Sequence, residues 1–325
     1  MHWSMTDIRK IAATLFSFAL LVQASAVAQY DGQGSLRDLN HQQQQDASLN
    51  ANYLVLDLSI KQLQAYYPEL KGLKPAESQK ELKDVLEKVG ANERVLLDVL
   101  PNVSCYEDVI QEKLDANAFP QGSPLLTAHY NFLVLAHAAG DSVRLNEYRA
   151  DENGLEVDPH VASGFSLVQG FALLPLHLHP VHQAFAKFRY LGRQVLDEQD
   201  DYVIAFAQQP DKAQLVGLVN VRGSIVRIVY QGIVWIEPKN FQIVRMRTDL
   251  LKPIAGAGSQ KTEIRLAEVR LPNLGTGLWL PHDVVVTRFA AGGGVREKHQ
   301  FSDYKRFLAE IKILPATQAP AETPK

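Results

Sequence analysis

The hydrophobic period of the chain changes near residue 131. Before it, apolar residues recur at three- and four-residue steps; after it, they alternate with polar ones. Between Tyr53 and Asp115 the pattern predicts helices. "PAESQKELKDVLEKVG" sets Leu82, Val85, Leu86 and Val89 on one stripe, with Pro75 suited to a helix start and Gly90 to a helix stop. "NVSCYEDVIQEKL" sets Val103, Tyr106, Val109, Ile110 and Leu114 on one face of a second helix, with Asn102 or Ser104 as its cap. Glu107, Asp108 and Glu112 fall on or near the opposite face. Three acids there allow a metal or acid/base reading, but no histidine is interleaved, so a solvated helix surface is preferred.

From Asn131 onward the period is two. The candidate strands are "NFLVLAH", "SVRLNEYRA", "SGFSLVQGFALL", "FAKFRYLGRQVL", "DYVIAFAQ", "LVGLVNVRG", "SIVRIVYQGIVWIE", "FQIVRMRTDLL", "TEIRLAEVRL", "LWLPHDVVVTRF" and "VREKHQFSDYKRF". Gly, Pro, Asn and Asp mark most junctions. The breaks are too short for helical crossovers, so neighbouring strands should run antiparallel as a meander. A sheet of about ten twisted strands curls. The expected fold class is α+β: a curled antiparallel half-barrel, with the N-terminal helical segment packed on or near its concave face.

The segment "GIVWIEPKNFQIVRMRTDL" is the clearest hairpin. Ile233, Val234, Trp235 and Ile236 are consecutive apolar residues, so both faces of that strand are covered. In the next strand Val244 and Met246 alternate with Arg245 and Arg247. Pro238 sets the turn, and a loop of two, three or four residues decides whether Trp235 shares a face with Gln242 or with Ile243. Arg245 and Arg247 stand on one face. They offer an anion site, for instance for a lipid head group, or a strand face paired with Glu263 or Glu268.

The N-terminus adds a compartment. Arg9 and Lys10 precede the apolar run "IAATLFSFALLV", and Ala24, Ala26 and Ala28 follow as small residues. That order is a secretory signal peptide with cleavage near Ala28. The apolar run is short of the ~20 residues that span a bilayer, and no other segment is long enough, so no transmembrane segment is expected in the mature chain. Cleavage removes two bases and one acid, which moves the formal charge from -3 to -4. With no basic excess, a nucleic-acid partner is not expected. The organisation is signal peptide 1–28, flexible polar leader 29–50, helical segment 51–120, half-barrel 121–312 and disordered Pro/Ala/Thr-rich tail 313–325. The protein should be periplasmic or secreted.

Candidate chemistry is sparse. His177, His179 and His182 lie within six residues in "LPLHLHPVHQAF" and could ligate zinc or copper, or could belong to a partly exposed loop. No carboxylate or cysteine completes the set locally. Cys105 is the only cysteine, so it forms no internal disulfide and reads as a buried small apolar residue. Nucleophile elbows, phosphate-binding glycine loops and HExxH are absent. No catalytic residue, cofactor or enzyme activity is therefore expected.

The strand-and-turn pattern from Phe188 to Phe307 resembles the LolA/LolB-like superfamily of exported bacterial proteins. The likeness lies in Trp235-Ile236-Glu237 followed by Val244-Arg245, in "LWLP" at Leu278 to Pro281, and in "FSDYKRF" at Phe301 to Phe307. The resemblance implies a half-barrel closed by helices around an apolar cavity. It makes a lipid or lipoprotein acyl chain the expected partner, with Trp235, Met246, Phe206 and Trp279 as wall residues. The alternative is a structural envelope protein that binds a protein partner and fills its core with its own side chains.

Overall fold

The computed structural model describes residues 54–139, 142–157, 167, 170–221, 224–254, 258–272, 274–275, 277–290 and 293–307. The expected signal peptide 1–28, leader 29–50 and tail 313–325 lie outside the described residues, as does most of 163–170 from one expected strand.

Eleven strands form one antiparallel sheet, curled but not closed. In chain order they are β1 (Lys74–Pro75), β2 (Val103–Leu114), β3 (Leu126–Ala139), β4 (Ser142–Ala150), β5 (Ala186–Leu196), β6 (Gln199–Gln208), β9 (Tyr230–Ile236), β10 (Ile243–Leu250), β11 (Ser259–Val269), β12 (Leu278–Ala290) and β13 (Gly293–Arg306). Between β6 and β9, strands β7 (Gly217–Val221) and β8 (Ser224–Ile228) pair with each other as a separate ribbon. The sheet order is β1-β5-β6-β9-β10-β11-β12-β13-β2-β3-β4. The expected meander holds from β9 to β13, but the hairpins β2–β3–β4 join beyond the last strand, because β2 pairs with β13.

The helices are α1 (Leu54–Asp57), α2 (Ile60–Tyr66), α3 (Leu82–Val99) and α4 (Pro180–Gln183), with 3-10 turns at Pro68–Leu70 and Phe171–Leu178. Ser59 caps α2 in a reciprocal box with Gln62. The two sides of the sheet are both covered. Val234, Ile236, Met246, Ile264, Leu266, Val284 and Val286 pack under α3 and the Phe171–Leu178 turn. Their alternate neighbours Ile233, Trp235, Val203 and Ala205 pack on the other side, against Val55, Leu63, Tyr67 and Leu70 of α1, α2 and the Pro68–Leu70 turn. The helical segment is thus divided between the two faces.

Four expectations are corrected. The first concerns "NVSCYEDVIQEKL", which is strand β2 and not a helix. Val103, Cys105, Glu107, Val109 and Gln111 point inward, while Ile110 is exposed. The β-branched and aromatic residues suit a strand, and pairing with β13 and β3 overrides the weak helical period. Its acids are therefore not on a helix surface. Glu107 is fully buried, Glu112 bonds Arg296 and Lys298, and Asp108 meets His129.

The second concerns Gly90, which does not end its helix. The helix α3 starts at Leu82 rather than near Pro75 and runs through Gly90 to Val99. A Cβ at Gly90 would lie 2.9 Å from Gln183 Nε2 and from Pro180 Cγ, so the glycine lets α3 touch α4. The third concerns 171–174, expected in a strand; these residues begin the buried Phe171–Leu178 turn. Pro175 lacks a ladder donor and the apolar residues do not alternate, which suits a cover more than a strand.

The fourth concerns the hairpin loop, which is longer than four residues. Ile236 pairs with Ile243, leaving 237–242 as the connection, and a register shift after Ile243 sets Arg245 opposite Trp235. The carboxylate of Glu237 accepts from the backbone N–H of Lys239 (3.1 Å) and Asn240 (2.6 Å), which closes this wider turn. Neither Gln242 nor Ile243 is the partner of Trp235.

Candidate functional site: an acidic cleft beneath helix α3

The inward stripe of α3 runs Val85, Val89, Glu93, Leu96 and Val99. Every other member is apolar, so Glu93 is a carboxyl group placed where a core residue belongs. The facing wall comes from the β9–β10 connection, from β11 and from the start of β12. Between helix and wall is an open cleft of about 450 Å³. Leu96, Ile243, Leu266, Leu278 and Trp279 line its apolar part, and Asn92, Gln242 and Glu268 its polar part. The helix is pinned beside it by Asn92 Nδ2, which donates to the carbonyls of Asn240 and Phe241, both at 2.8 Å. The Lys88 ammonium lies 4.5 Å from the Phe241 ring centre and 2.7 Å from Asp84 Oδ2.

Glu93 is only 4% exposed, and its Oε2 has no hydrogen-bond partner among the described residues. Burial alone pushes its carboxyl up to about 8. An unpaired carboxyl group in an otherwise apolar stripe is costly, which makes it a candidate recognition group. Near the β2–β3–β12–β13 end the same face is closely packed. The space among Leu100, Val103, Cys105, Phe132, Leu280 and Phe301 amounts to about 10 Å³.

The residues expected as cavity wall divide. Trp279 lines the cleft. Met246 and Phe206 are fully buried in the core of the same face and do not reach it. Trp235 is on the opposite face, under α1 and α2.

Arg245 and Arg247 share that opposite face with Trp235. Arg245 lies 4.9 Å over the Trp235 ring and 3.4 Å from Glu263 Oε2. Arg247 bonds Glu69 and both carboxylate oxygens of Asp249 (3.0 and 3.1 Å), and stacks 4.4 Å over Tyr67. Acids from the protein itself fill both forks.

The histidines do not converge on one point. His177 is buried in the Phe171–Leu178 turn, its Nδ1 is 2.8 Å from the Leu174 carbonyl, and burial pushes it down to about 4. His179 accepts from the Val181 N–H at the start of α4, and its ring centre is 5.9 Å from that of His182. Among the described residues no three His, Cys, Asp or Glu groups could hold a metal ion. Cys105 is buried, and burial, seconded by the charge of Glu107, pushes its thiol up, away from the reactive thiolate.

A second polar cluster is buried at the β13-β2-β3-β4 end. Arg149 forks onto Glu107, Nε to Oε2 at 2.5 Å and Nη2 to Oε1 at 2.8 Å. His299 Nδ1 lies 2.8 Å from Glu107 Oε1, and its Nε2 is 3.4 Å from Glu297 Oε2. Burial alone would raise Glu107, but the Arg149 charge and the bonds from His299 and Arg149 bring it down to about 2. Burial would lower His299, yet its bonds to Glu107 and Glu297 hold it above the ordinary histidine value. Glu147 accepts from the N–H groups of Gly170 (2.6 Å) and Ala172 (2.8 Å), tying the Phe171–Leu178 turn to β4. The cluster orients a cover element, and its groups bond one another.

No protein-family model matches the chain, and no curated protein matches it. Among solved structures it is similar to a DUF1329 family protein from Desulfovibrio piger, with a TM-score of 0.38 and 9% identity over 70% of this chain and 94% of that one. It is also similar to a domain named for outer membrane lipoprotein sorting from Vibrio parahaemolyticus, with a TM-score of 0.37 and 11% identity over 71% of this chain and 94% of that one. LprF from Mycobacterium bovis has a TM-score of 0.21 and 10% identity over the same shares, 71% and 94%. The likeness is one of fold alone.

Glu93 is the residue that sequence reasoning misses. Ending the helix at Gly90 leaves it outside the stripe. Extending the stripe from Val85 and Val89 by four places it at a core position, and that local mismatch was the available signal. The Glu107–Arg149–His299 cluster carried no such signal, since its members are 42 and 192 residues apart from Glu107 along the chain.

Proposed function

We propose that the chain is an exported cell-envelope protein that binds an apolar ligand, a lipid or acyl chain, in the cleft beneath α3. Export follows from the signal-peptide pattern of 1–28. One observation carries the binding reading: a cleft of about 450 Å³ walled by Leu96, Ile243, Leu266, Leu278 and Trp279. That volume is within the range of sites for small ligands, and the wall joins an apolar part to a polar one, as an amphiphile needs. Among the described residues no helix is long and apolar enough to cross a membrane.

A second reading has its own observation. The space among Leu100, Val103, Phe132, Ala172, Leu280 and Phe301 is only about 10 Å³, as in a packed core that leaves its surface for binding another protein.

The test uses protein purified from its source envelope. Native mass spectrometry should detect a co-purified lipid, and the neutral apolar probe N-phenyl-1-naphthylamine should brighten on binding and lose affinity in Trp279→Ala. An empty protein that ignores the probe, together with a stable protein partner in pull-downs, overturns the first reading in favour of the second.

A further inference from the structure

The cleft has a charge preference as well as an apolar wall. Two carboxyl groups line it, Glu93 on α3 and Glu268 on β11, and no lysine or arginine does. The charged groups around Glu93 are few. On its own helix, Lys88 is engaged by Asp84 and Phe241. Arg94 and Asp98 act on His179, on the α4 side of the helix. From the strands, Glu268 faces the cleft and meets Arg270 Nε at 3.4 Å. None of these charges satisfies Glu93 Oε2, which has no hydrogen-bond partner among the described residues at 4% exposure.

We propose that the cleft selects amphiphiles with a cationic head, such as a primary alkylammonium, and that the Glu93 carboxyl group receives the head. The proposal rests on the cleft being the ligand site. The geometry supplies both halves of such a ligand's surroundings. Leu96, Ile243, Leu266, Leu278 and Trp279 take the chain, and the Glu93 carboxyl group at the cleft wall takes an N–H donor. Among the described residues lining the cleft, no lysine or arginine is present to pair with a carboxylate or phosphate head. Burying an ammonium is costly unless it is paired, and Glu93 provides the pair, with a charge-assisted bond in place of an unmet acceptor.

The proton balance is explicit. An alkylammonium, with an ordinary amine value near ~10, arrives charged at neutral pH. Glu93 gives its carboxyl proton to solvent, and the resulting carboxylate accepts the ammonium N–H. No covalent bond forms or breaks in the ligand. Binding therefore releases a proton, because Glu93 is held mostly protonated at pH 7 while the cleft is empty of charge.

The closing experiment displaces N-phenyl-1-naphthylamine from the exported chain at pH 7 with three ligands of equal chain length: dodecylamine, dodecanol and dodecanoic acid. Dodecylamine should displace it at a concentration roughly tenfold lower than the other two. Calorimetry in buffers of different ionisation enthalpy should show release of about one proton per amine bound, and none for dodecanol. Glu93→Gln should lose the amine preference over dodecanol and lose the proton release.

If the probe binds but the amine gains nothing over dodecanol, the head-group proposal fails and the cleft reading stands. If Glu93→Gln keeps the amine preference, or Glu268→Gln alone removes it, Glu93 is not the receiving group. If the probe does not bind at all, the cleft reading fails first.

Discussion

The indole N–H of Trp235 donates to Gln194 Oε1 at 2.9 Å, across the β5–β6–β9 face. Gln194 in turn donates through Nε2 to the carbonyls of Glu69 (2.8 Å) and Lys71 (2.9 Å). One amide thus ties a buried tryptophan to the turn that follows α2. This decides what Trp235 does: it anchors a helical cover and does not line the cleft beneath α3. Gln194→Met keeps much of the volume but orphans the indole N–H and two carbonyls. It should lower stability by about 2–4 kcal/mol in urea titrations followed by tryptophan fluorescence. Trp235→Phe, which removes the donor as well, should cost less than Trp235→Ala.

Arg149 and Glu107 form a fully buried pair. Arg149→Met leaves Glu107 and Glu147 without their shared cation and should destabilise by about 3–5 kcal/mol. Adding Glu107→Leu removes the stranded charge, so the double variant should recover much of that loss. Chemical denaturation of the two single variants and the double variant gives the coupling directly. Additive losses would mean that the pair is not coupled.

Glu93 and His299 are among the groups, with Asp201, that make stability fall as pH rises. Glu93 is raised to about 8, so between its unfolded value and pH 8 the native state binds more protons than the unfolded one, and stability falls as pH rises. His299 is also raised; its contribution is complete below the unfolded value near ~6.5 and is lost as pH climbs through the folded value. Glu107 acts oppositely, contributing above its unfolded value and losing that contribution as pH falls toward 2. Glu93→Gln should therefore flatten the decline between pH 5 and 8 by up to about 1.4 kcal/mol per pH unit. Melting temperatures across that window check it, and an unchanged slope would count against the buried, unpaired carboxyl.

Gly90 sets how closely α3 approaches α4. An alanine there gains helix propensity of about 1 kcal/mol. Its Cβ would press on the flexible end of Gln183 and on the stiffer Pro180 ring, each at 2.9 Å. Gly90→Val adds two further methyl groups at the same contact and should lose about 1–3 kcal/mol. Because Glu93 is one turn further along the same helix, the variant should also weaken probe binding in the cleft. Thermal denaturation and probe titration read the two effects separately.

Strands whose residues alternate strictly were legible one by one. β4 was expected at its observed bounds, and β5, β6 and β10 to β13 within a few residues, because a period of two leaves little else to form. β2 was not legible as a strand. Val103, Val109 and Ile110 fit both periods, and only a vacant edge on β13 decides between them. Helix α3 was read from its first stripe, but Gly90 resembles a stop until α4 is known to lie against it.

By itself, then, the sequence determined the fold class, the antiparallel character of the sheet and the covering of both faces of β9. These follow from local period and from short connections, which act within a few residues. Only the tertiary structure decided which face each side chain serves. The register shift after Ile243 gives Trp235 to the helices and Met246 to the opposite core. The extension of α3 carries Glu93 over the wall formed by Ile243, Leu266 and Trp279. Such a site joins residues nearly two hundred positions apart, and contacts at that separation leave no periodic trace along the chain.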